Sequence, residues 1–344
     1  MKKILVALSG GVDSSTAALI LKEQGFEVHS AIMKFHGIPD EVIEHARAAA
    51  HALDIPFHTF DLTREFQELI LNDFIKEYER GRTPNPCVRC NELIKFGVFI
   101  DRAKALGIDK IATGHYAKVE RVEKRYLLKK GVDRNEQSYF LYRLKQKQLS
   151  KLILPLADHT KEMVRQKARC SNLPTAKHKK SQDICFISEK NYSSFLKGRA
   201  RSKPGAICDK TGKMIGEHKG ITAYTIGQRK GIGLSHKRPY YVTFIDAATN
   251  IIYVGEQEEV YRSQFTAKHL NFIPFNKLTD KMIVQAKTRY VSPLSKATIE
   301  PYKRGSVKVV FNKVQWAVTP GQSVVFYLND TILGGGIIEH VLAA

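Results

Sequence analysis

A short apolar run, Ile4 to Leu8, ends in Ser9-Gly10-Gly11-Val12-Asp13-Ser14-Ser15 and passes straight into a helix-patterned stretch, Ser14 to Gln24, that stops at Gly25. Strand, glycine-bearing loop and helix together form the opening unit of a parallel α/β sheet. Two adjacent glycines let the backbone turn tightly and come close to a ligand, and the helix start offers unpaired N–H groups and a positive dipole end. Ser9, Ser14 and Ser15 add hydroxyl donors, and Asp13 can hold a magnesium ion. That set suits a polyphosphate. The loop lacks the G-x-x-x-x-G-K-[ST] pattern and its lysine, which argues against simple γ-phosphoryl transfer. Gly-Gly with Asp and Ser is also ordinary turn chemistry, but the flanking strand and helix favour the phosphate reading.

The alternation continues. Glu27–Phe35, Phe57–Leu62 and Lys110–Val119 are strand-like, while Asp40–Leu53, Arg64–Glu79 and Leu93–Leu106 have helical spacing. This predicts a parallel sheet covered on both faces. From about Lys203 the texture changes to short apolar runs punctuated by Gly, Pro, Asp-Lys and Thr-Gly, which predicts antiparallel sheets or small barrels. With 344 residues, 43% of them hydrophobic, the chain has room for two or three domains of ordinary size. We expect an α/β catalytic domain over 1–200, a small mainly-β domain over 201–261 and a β-barrel-like domain over 262–344.

The net charge of +21 is concentrated. Residues 121–238 hold 29 Lys and Arg against 9 Asp and Glu, whereas residues 1–120 hold 15 against 17. Such an excess points to a polyanionic partner. A membrane surface fits less well, because the basic stretch has no long amphipathic helix and no apolar run nears the ~20 residues that span a bilayer. The N-terminal apolar run is shorter than the roughly 7–15 residues of a signal-peptide core. Five cysteines, an odd number over a long chain, do not resemble a secreted disulfide scaffold. The cytoplasm is the expected location.

Cys87 and Cys90 lie in Thr83-Pro84-Asn85-Pro86-Cys87-Val88-Arg89-Cys90-Asn91, and Cys185 in Ser181-Gln182-Asp183-Ile184-Cys185-Phe186-Ile187. Sulfur chemistry needs a thiolate, and neighbouring cations lower a thiol's pKa. Arg82 and Arg89 flank the first site, and Lys177, Lys179 and Lys180 precede the second. Prolines on both sides of Asn85 predict a stiff loop, not a helical C-x-x-C. Zinc is a competing reading, although a structural site wants a second ligand pair, and Cys170, Cys185 and Cys208 are single. Cys170 and Cys208 read as small buried hydrophobes.

SGGVDSS resembles the pyrophosphate-loop motif of ATP pyrophosphatases, adenine nucleotide alpha hydrolase-like proteins that break ATP between its α- and β-phosphates and pass AMP to a substrate oxygen. With TPNPCVRCN, GHYAK (114–118), QSYFL (137–141), ICFI, KTRY and PGQ in order, the chain resembles the tRNA-specific 2-thiouridylase family from residue 9 to residue 322. The resemblance implies thiolation of the wobble uridine of a tRNA anticodon loop at C2. ATP would lie along Ala7, Leu8, Ser9, Gly10, Gly11, Val12, Asp13 and Ser14, with Met33 and Gly114 on the adenosine side and catalytic Mg²⁺ at Asp13. Asn85, Pro86 and Cys87 would contact the target base, Cys90 would be the nucleophile and Cys185 would carry a persulfide. His115, Asn135, Glu136, Gln137, Gln322 and the strand-patterned Arg289 and Tyr290 match tRNA-contacting positions. A cysteine desulfurase or a sulfur-relay protein would supply the sulfur. Some members carry an acidic residue in place of Cys87, and many read Lys-Asp-Gln where this chain has Asn135-Glu136-Gln137. A lysidine synthase would share the loop but need no cysteine pair. A non-enzymatic RNA-binding protein would explain the charge and leave the cysteines unexplained.

Overall fold

The computed structural model describes residues 2–178, 184–187, 192–234 and 238–342. They fall into two units, one of Met1–Ile70, Cys87–Ser188 and Asn329–Leu333, the other of Leu71–Pro86, Glu189–Leu328 and Gly334–Ala344.

In the first unit, strands β1 (Lys3–Ala7), β2 (Glu27–Lys34), β3 (Phe57–Asp61) and β4 (Lys110–Ala112) are followed by a hairpin, β5 (Ala117–Val122) and β6 (Arg125–Lys130), and by β7 (Leu152–Ile153). The sheet order is β3-β2-β1-β4-β7, and every pairing in it is parallel. β1 is central because it can be buried on both faces: Ile4, Leu5 and Val6 have no exposed surface. The strand order reverses around β1, so the crevice beyond its carboxyl end is the ligand-binding position of an open α/β sheet. Helices Val12–Glu23 and Asp40–Ala52 supply Ala17, Leu21, Ile43 and Ala46 to the core beneath Ile4, Val6 and Leu8.

Two local expectations are corrected. The single strand expected over Lys110–Val119 is broken, β4 ending at Ala112 and β5 starting at Ala117, because the backbone between them bends across the phosphate loop. The stiff loop expected around Cys87 and Cys90 is helical from Pro86: Pro86–Cys90 is α, Asn91–Val98 is π and Phe99–Ala105 is α again. Proline suits a first helical position, since its φ is preset and its missing N–H would have no helical partner there.

In the second unit, β8 (Gly205–Cys208), β9 (Met214–His218), β10 (Tyr241–Asp246) and β11 (Ile251–Gly255) form a sheet of order β10-β11-β8-β9. Its core is Ile207, Val242, Ile252 and Val254. Then β12 (Tyr261–Phe272), β13 (Met282–Lys287), β14 (Ser295–Tyr302), β15 (Ser306–Trp316), β16 (Ser323–Leu328) and β17 (Thr331–Val341, in the second unit from Gly334) run in the order β12-β15-β14-β13-β16-β17. β17 pairs back onto β12 (Phe265 with Val341, Ala267 with Ile338), so these six strands close a barrel as the sequence texture predicts. Phe265, Val309, Phe326 and Ile338 fill it, each fully buried.

Candidate active site

β1 delivers the phosphate loop to the centre of the crevice. Gly10 has φ +70°, and a Cβ on it would meet the Val42 carbonyl oxygen at 2.7 Å, so glycine is required twice over. Ser9 N donates to Ser14 Oγ at 3.0 Å, Ser14 Oγ donates to Gly11 O at 3.1 Å, and His178 Nδ1 donates to Gly10 O at 3.1 Å. These bonds hold the loop open as a cradle. Gly11 caps the helix Val12–Glu23 without a side-chain bond, which leaves the first-turn N–H groups to a ligand. Ala7 and Leu8 are buried beneath the loop, and Met33 is half-buried near the carboxyl end of the adjacent β2. Gly114 lies directly on the loop: a Cβ there would fall 2.7 Å from Asp13 C and 2.8 Å from Ser14 N.

Asp13 is not alone. Its Oδ1 accepts from Tyr116 Oη at 2.6 Å and from Lys161 Nζ at 2.5 Å. Neither partner follows from sequence reasoning. Lys161 is 148 positions away, and nothing in its own surroundings marks it. Among the described residues, no group of three His, Cys, Asp or Glu side chains is placed to hold a metal ion. Asp13 is the loop's one carboxylate and would be the residue to hold Mg²⁺, beside the two donors already on its Oδ1.

All five cysteines are free thiols; Cys90 is buried, Cys87 half-buried and Cys185 exposed. Cys185 sits in a tight turn closed by Ile187 N donating to Ile184 O at 2.9 Å. Phe186 anchors that turn, its ring edge-on to Phe66 at 5.6 Å and its Cα against Gly37. Cys87, Cys90 and Cys185 are close enough for their charges to act on one another, and Lys95 acts on all three. Burial pushes the Cys90 thiol up to about 12 and the Cys87 thiol up to about 11, with Lys95 opposing both. The surrounding protein raises Cys185 too, against Lys95 and the N–H groups of Cys185 and Phe186. Its open surface still decides what can reach it.

Of the cations expected to activate these thiols, the two arginines are engaged elsewhere. Arg82 pairs with Glu77 at 2.7 Å and Glu339 at 3.1 Å, and Arg89 donates to Leu69 O at 3.0 Å. Lys179 and Lys180 lie outside the described residues, as do Ser181, Gln182 and Asp183. Lys95, in the π segment Asn91–Val98, is the cation whose charge acts on all three thiols, without offsetting their burial. Cys170 is exposed at the end of the helix Lys161–Cys170, whose buried face is Val164 and Ala168, so the expectation of a buried residue is corrected there. Cys208 is buried in β8, as expected.

His115 shares a hydrogen bond with Thr113 Oγ1 through Nδ1 at 2.8 Å, and its ring stands 5.8 Å from that of Phe96. Burial, then Lys95, hold its pKa down at about 3, so the ring is neutral at physiological pH. Asn135 donates through N and Nδ2 to Asp133 Oδ1 at 2.6 and 2.9 Å, Glu136 accepts from Ser138, and Gln137 Oε1 accepts from Tyr116 N at 3.1 Å. These three side chains thus also hold their own turn.

In the second unit, Gln322 Nε2 donates to Thr83 O at 2.9 Å and Pro84 O at 3.3 Å, next to Asn85 and Pro86. Arg289 Nη2 donates to the carbonyls of Trp316 and Ala317 at 2.8 and 2.9 Å. Arg289 and Tyr290 lie in the turn after β13, not in a strand, because ladder pairing stops at Lys287.

The fold and loop define a HUP-type α/β nucleotide-binding protein with two β domains. The chain matches the tRNA methyl transferase HUP domain over residues 2–189, the tRNA methyl transferase PRC-barrel domain over 193–256 and the aminomethyltransferase beta-barrel domain over 262–338. It is 44% identical to the tRNA-specific 2-thiouridylase MnmA of Clostridium botulinum strain Alaska E43, covering 99% of each chain. A tRNA-specific 2-thiouridylase MnmA 2 of Thermoanaerobacter sp. strain X514 is 46% identical over 99% of this chain and 98% of its own. The tRNA-specific 2-thiouridylase MnmA of Clostridium beijerinckii is 42% identical over 99% of each chain. The chain belongs to the tRNA-specific 2-thiouridylase family. It is accordingly an ATP-using enzyme.

Proposed function

We propose that this protein adenylates the C2 oxygen of the wobble uridine of tRNA and replaces that oxygen with sulfur carried on Cys185. Gly114 and His115 are the observation that supports this most. Gly114 rests on the backbone of Asp13 and Ser14, and His115, the next residue, faces Phe96 on the helix that follows Cys90. The Gly114–His115 backbone thus connects the phosphate loop with the helical segment that follows Cys90, which supports adenylation and sulfur transfer at one site.

The chemistry follows from the side chains. Uracil C2 oxygen is a poor leaving group; its attack on the α-phosphorus of ATP expels pyrophosphate and turns it into AMP. First-turn N–H groups and the loop hydroxyls stabilise the departing charge. Mg²⁺, held by Asp13, would neutralise phosphate oxygens. A cysteine desulfurase or a relay protein transfers a sulfane sulfur to Cys185, the exposed thiol. The terminal sulfur of that persulfide attacks C2 and AMP leaves. Cys90 thiolate then attacks the Cys185 sulfur, breaking the S–S bond, forming a Cys90–Cys185 disulfide and freeing 2-thiouridine. Alternatively Cys90 attacks first and releases sulfide as the nucleophile. A thiol reductant restores both cysteines. The base must leave its stack to enter, which suits a splayed anticodon-loop nucleotide. Asn85, Pro86 and Cys87 are proposed to contact that base, and His115, the 135–137 turn, Arg289, Tyr290 and Gln322 to contact tRNA. The cytoplasm is the proposed location; no helix among the described residues is long and apolar enough to cross a membrane.

The test is to incubate the protein with unmodified tRNA, Mg-ATP and a cysteine desulfurase with cysteine as the sulfane-sulfur source, digest the RNA and analyse the nucleosides by mass spectrometry. The expected result is 2-thiouridine together with AMP, not ADP. Tight tRNA binding with neither product overturns the proposal in favour of a binding protein.

A further inference from the structure

The phosphate loop contains no lysine, yet a lysine ammonium stands at it. Lys161 is the first residue of the helix Lys161–Cys170, and its Nζ lies 2.5 Å from Asp13 Oδ1. Its side chain is only 13% exposed, so the charge is presented to the loop and not to bulk water. The approach is fixed by the backbone. Lys161 N donates to Asp133 Oδ2 at 2.7 Å, and Asp133 is itself buried. Thr160 Oγ1 accepts from Met163 N at 3.3 Å and sets the start of the helix. A cation at a helix N-terminus opposes the macrodipole, and a half-desolvated ammonium there needs anionic company. Among the described residues, Asp13 supplies the one carboxylate hydrogen-bonded to that ammonium.

We propose that Lys161 is a polyphosphate-binding residue, donating to the β- and γ-phosphate oxygens of ATP, and that Asp13 is the post that holds its ammonium beside the loop. The inference rests on the ATP reading of the loop. An ammonium has three donors, and Asp13 Oδ1 uses one. Among the described residues no other hydrogen bond of that ammonium is seen, which leaves two donors for phosphate oxygens. A lysine supplied from position 161 fills the electrostatic role that a P-loop lysine fills from within its own loop. Here pyrophosphate is the leaving group, so a cation on its oxygens acts where charge accumulates as the bond to the α-phosphorus breaks.

Calorimetric titration of wild type, Lys161→Gln and Lys161→Arg with ATP, pyrophosphate and AMP, all with Mg²⁺, tests this. Lys161→Gln should weaken ATP and pyrophosphate binding about tenfold or more, the scale of a charge-assisted bond. AMP affinity should stay within about twofold of wild type, since AMP lacks the β- and γ-phosphates, and this also checks that the variant is folded. Lys161→Arg should recover most of the loss. Equal weakening of AMP and ATP would make Lys161 a support for Asp13 alone and overturn the inference. Unchanged ATP binding in Lys161→Gln overturns it as well, leaving the loop reading intact. Wild type that binds neither ATP nor pyrophosphate overturns both.

Discussion

Cys90 is proposed as a nucleophile, and the fold keeps it protonated. With its thiol pushed up to about 12 by burial, against the pull of Lys95, the thiolate fraction at neutral pH is very small. Below that value each pH unit multiplies the thiolate about tenfold. Alkylation of Cys90 by iodoacetamide should therefore climb roughly tenfold per unit from pH 7 to 10. Cys185, exposed and supported by two backbone N–H groups, should react faster at every pH. Lys95→Met should slow Cys90 further by removing the opposing cation. Peptide mapping by mass spectrometry reads all three rates; a Cys90 as reactive as free cysteine at pH 7.5 would contradict the buried-thiol geometry. At this scale the thiols were legible and their electrostatic partner was not. Arg82 and Arg89 are chain neighbours, but their guanidinium groups turn to Glu77, Glu339 and a carbonyl. The same limit hid Lys161, because an ion pair across 148 positions leaves no local pattern.

The elements were easier to read wherever burial is symmetric. β1 reads as an unbroken apolar run because both its faces are covered, and the loop after it is recognisable by its glycines. The helix Pro86–Cys90 was obscured because Pro-Asn-Pro resembles a turn, and the π segment Asn91–Val98 was invisible because helical periodicity does not reveal a five-residue hydrogen-bond step. Gly114 is where an element boundary becomes a binding requirement. The nearest atoms to an added Cβ are backbone atoms of Asp13 and Ser14, at 2.7 and 2.8 Å, so neither can rotate away. Gly114→Ala should cost about 1–3 kcal/mol of stability, as overpacking does. It should also displace the loop and weaken ATP binding about tenfold or more, on the scale of one lost charge-assisted bond. Thermal unfolding and ATP titration measure the two effects separately, and an unaltered ATP affinity would mean that the loop yields without consequence.

For the whole molecule, the C-terminal barrel was legible from its many short strands but the pairs that close it were not, since β12 and β17 pair across most of the C-terminal sequence and local alternation does not name a partner. Charge is the whole-chain property that does carry over from sequence to function. Residues 121–238 hold 29 Lys and Arg against 9 Asp and Glu, so pairing within the segment leaves a surplus of 20 positive charges (29 − 9). A polyanion bound by such a surface releases counterions, so log affinity should fall linearly with log salt by about 0.7 to 0.9 per phosphate neutralised. For a tRNA gripped at about four or more phosphates, the slope should be about −3 or steeper between 50 and 200 mM salt. Cys90→Ser and Cys185→Ser leave every formal charge in place, so both variants should show the wild-type slope and nearly the wild-type affinity while losing thiolation altogether. Filter binding across a salt series, paired with nucleoside analysis, separates the two properties. A slope near zero would remove tRNA phosphates as the reason for the basic segment, and a large loss of binding in either serine variant would move that cysteine from sulfur transfer to tRNA contact.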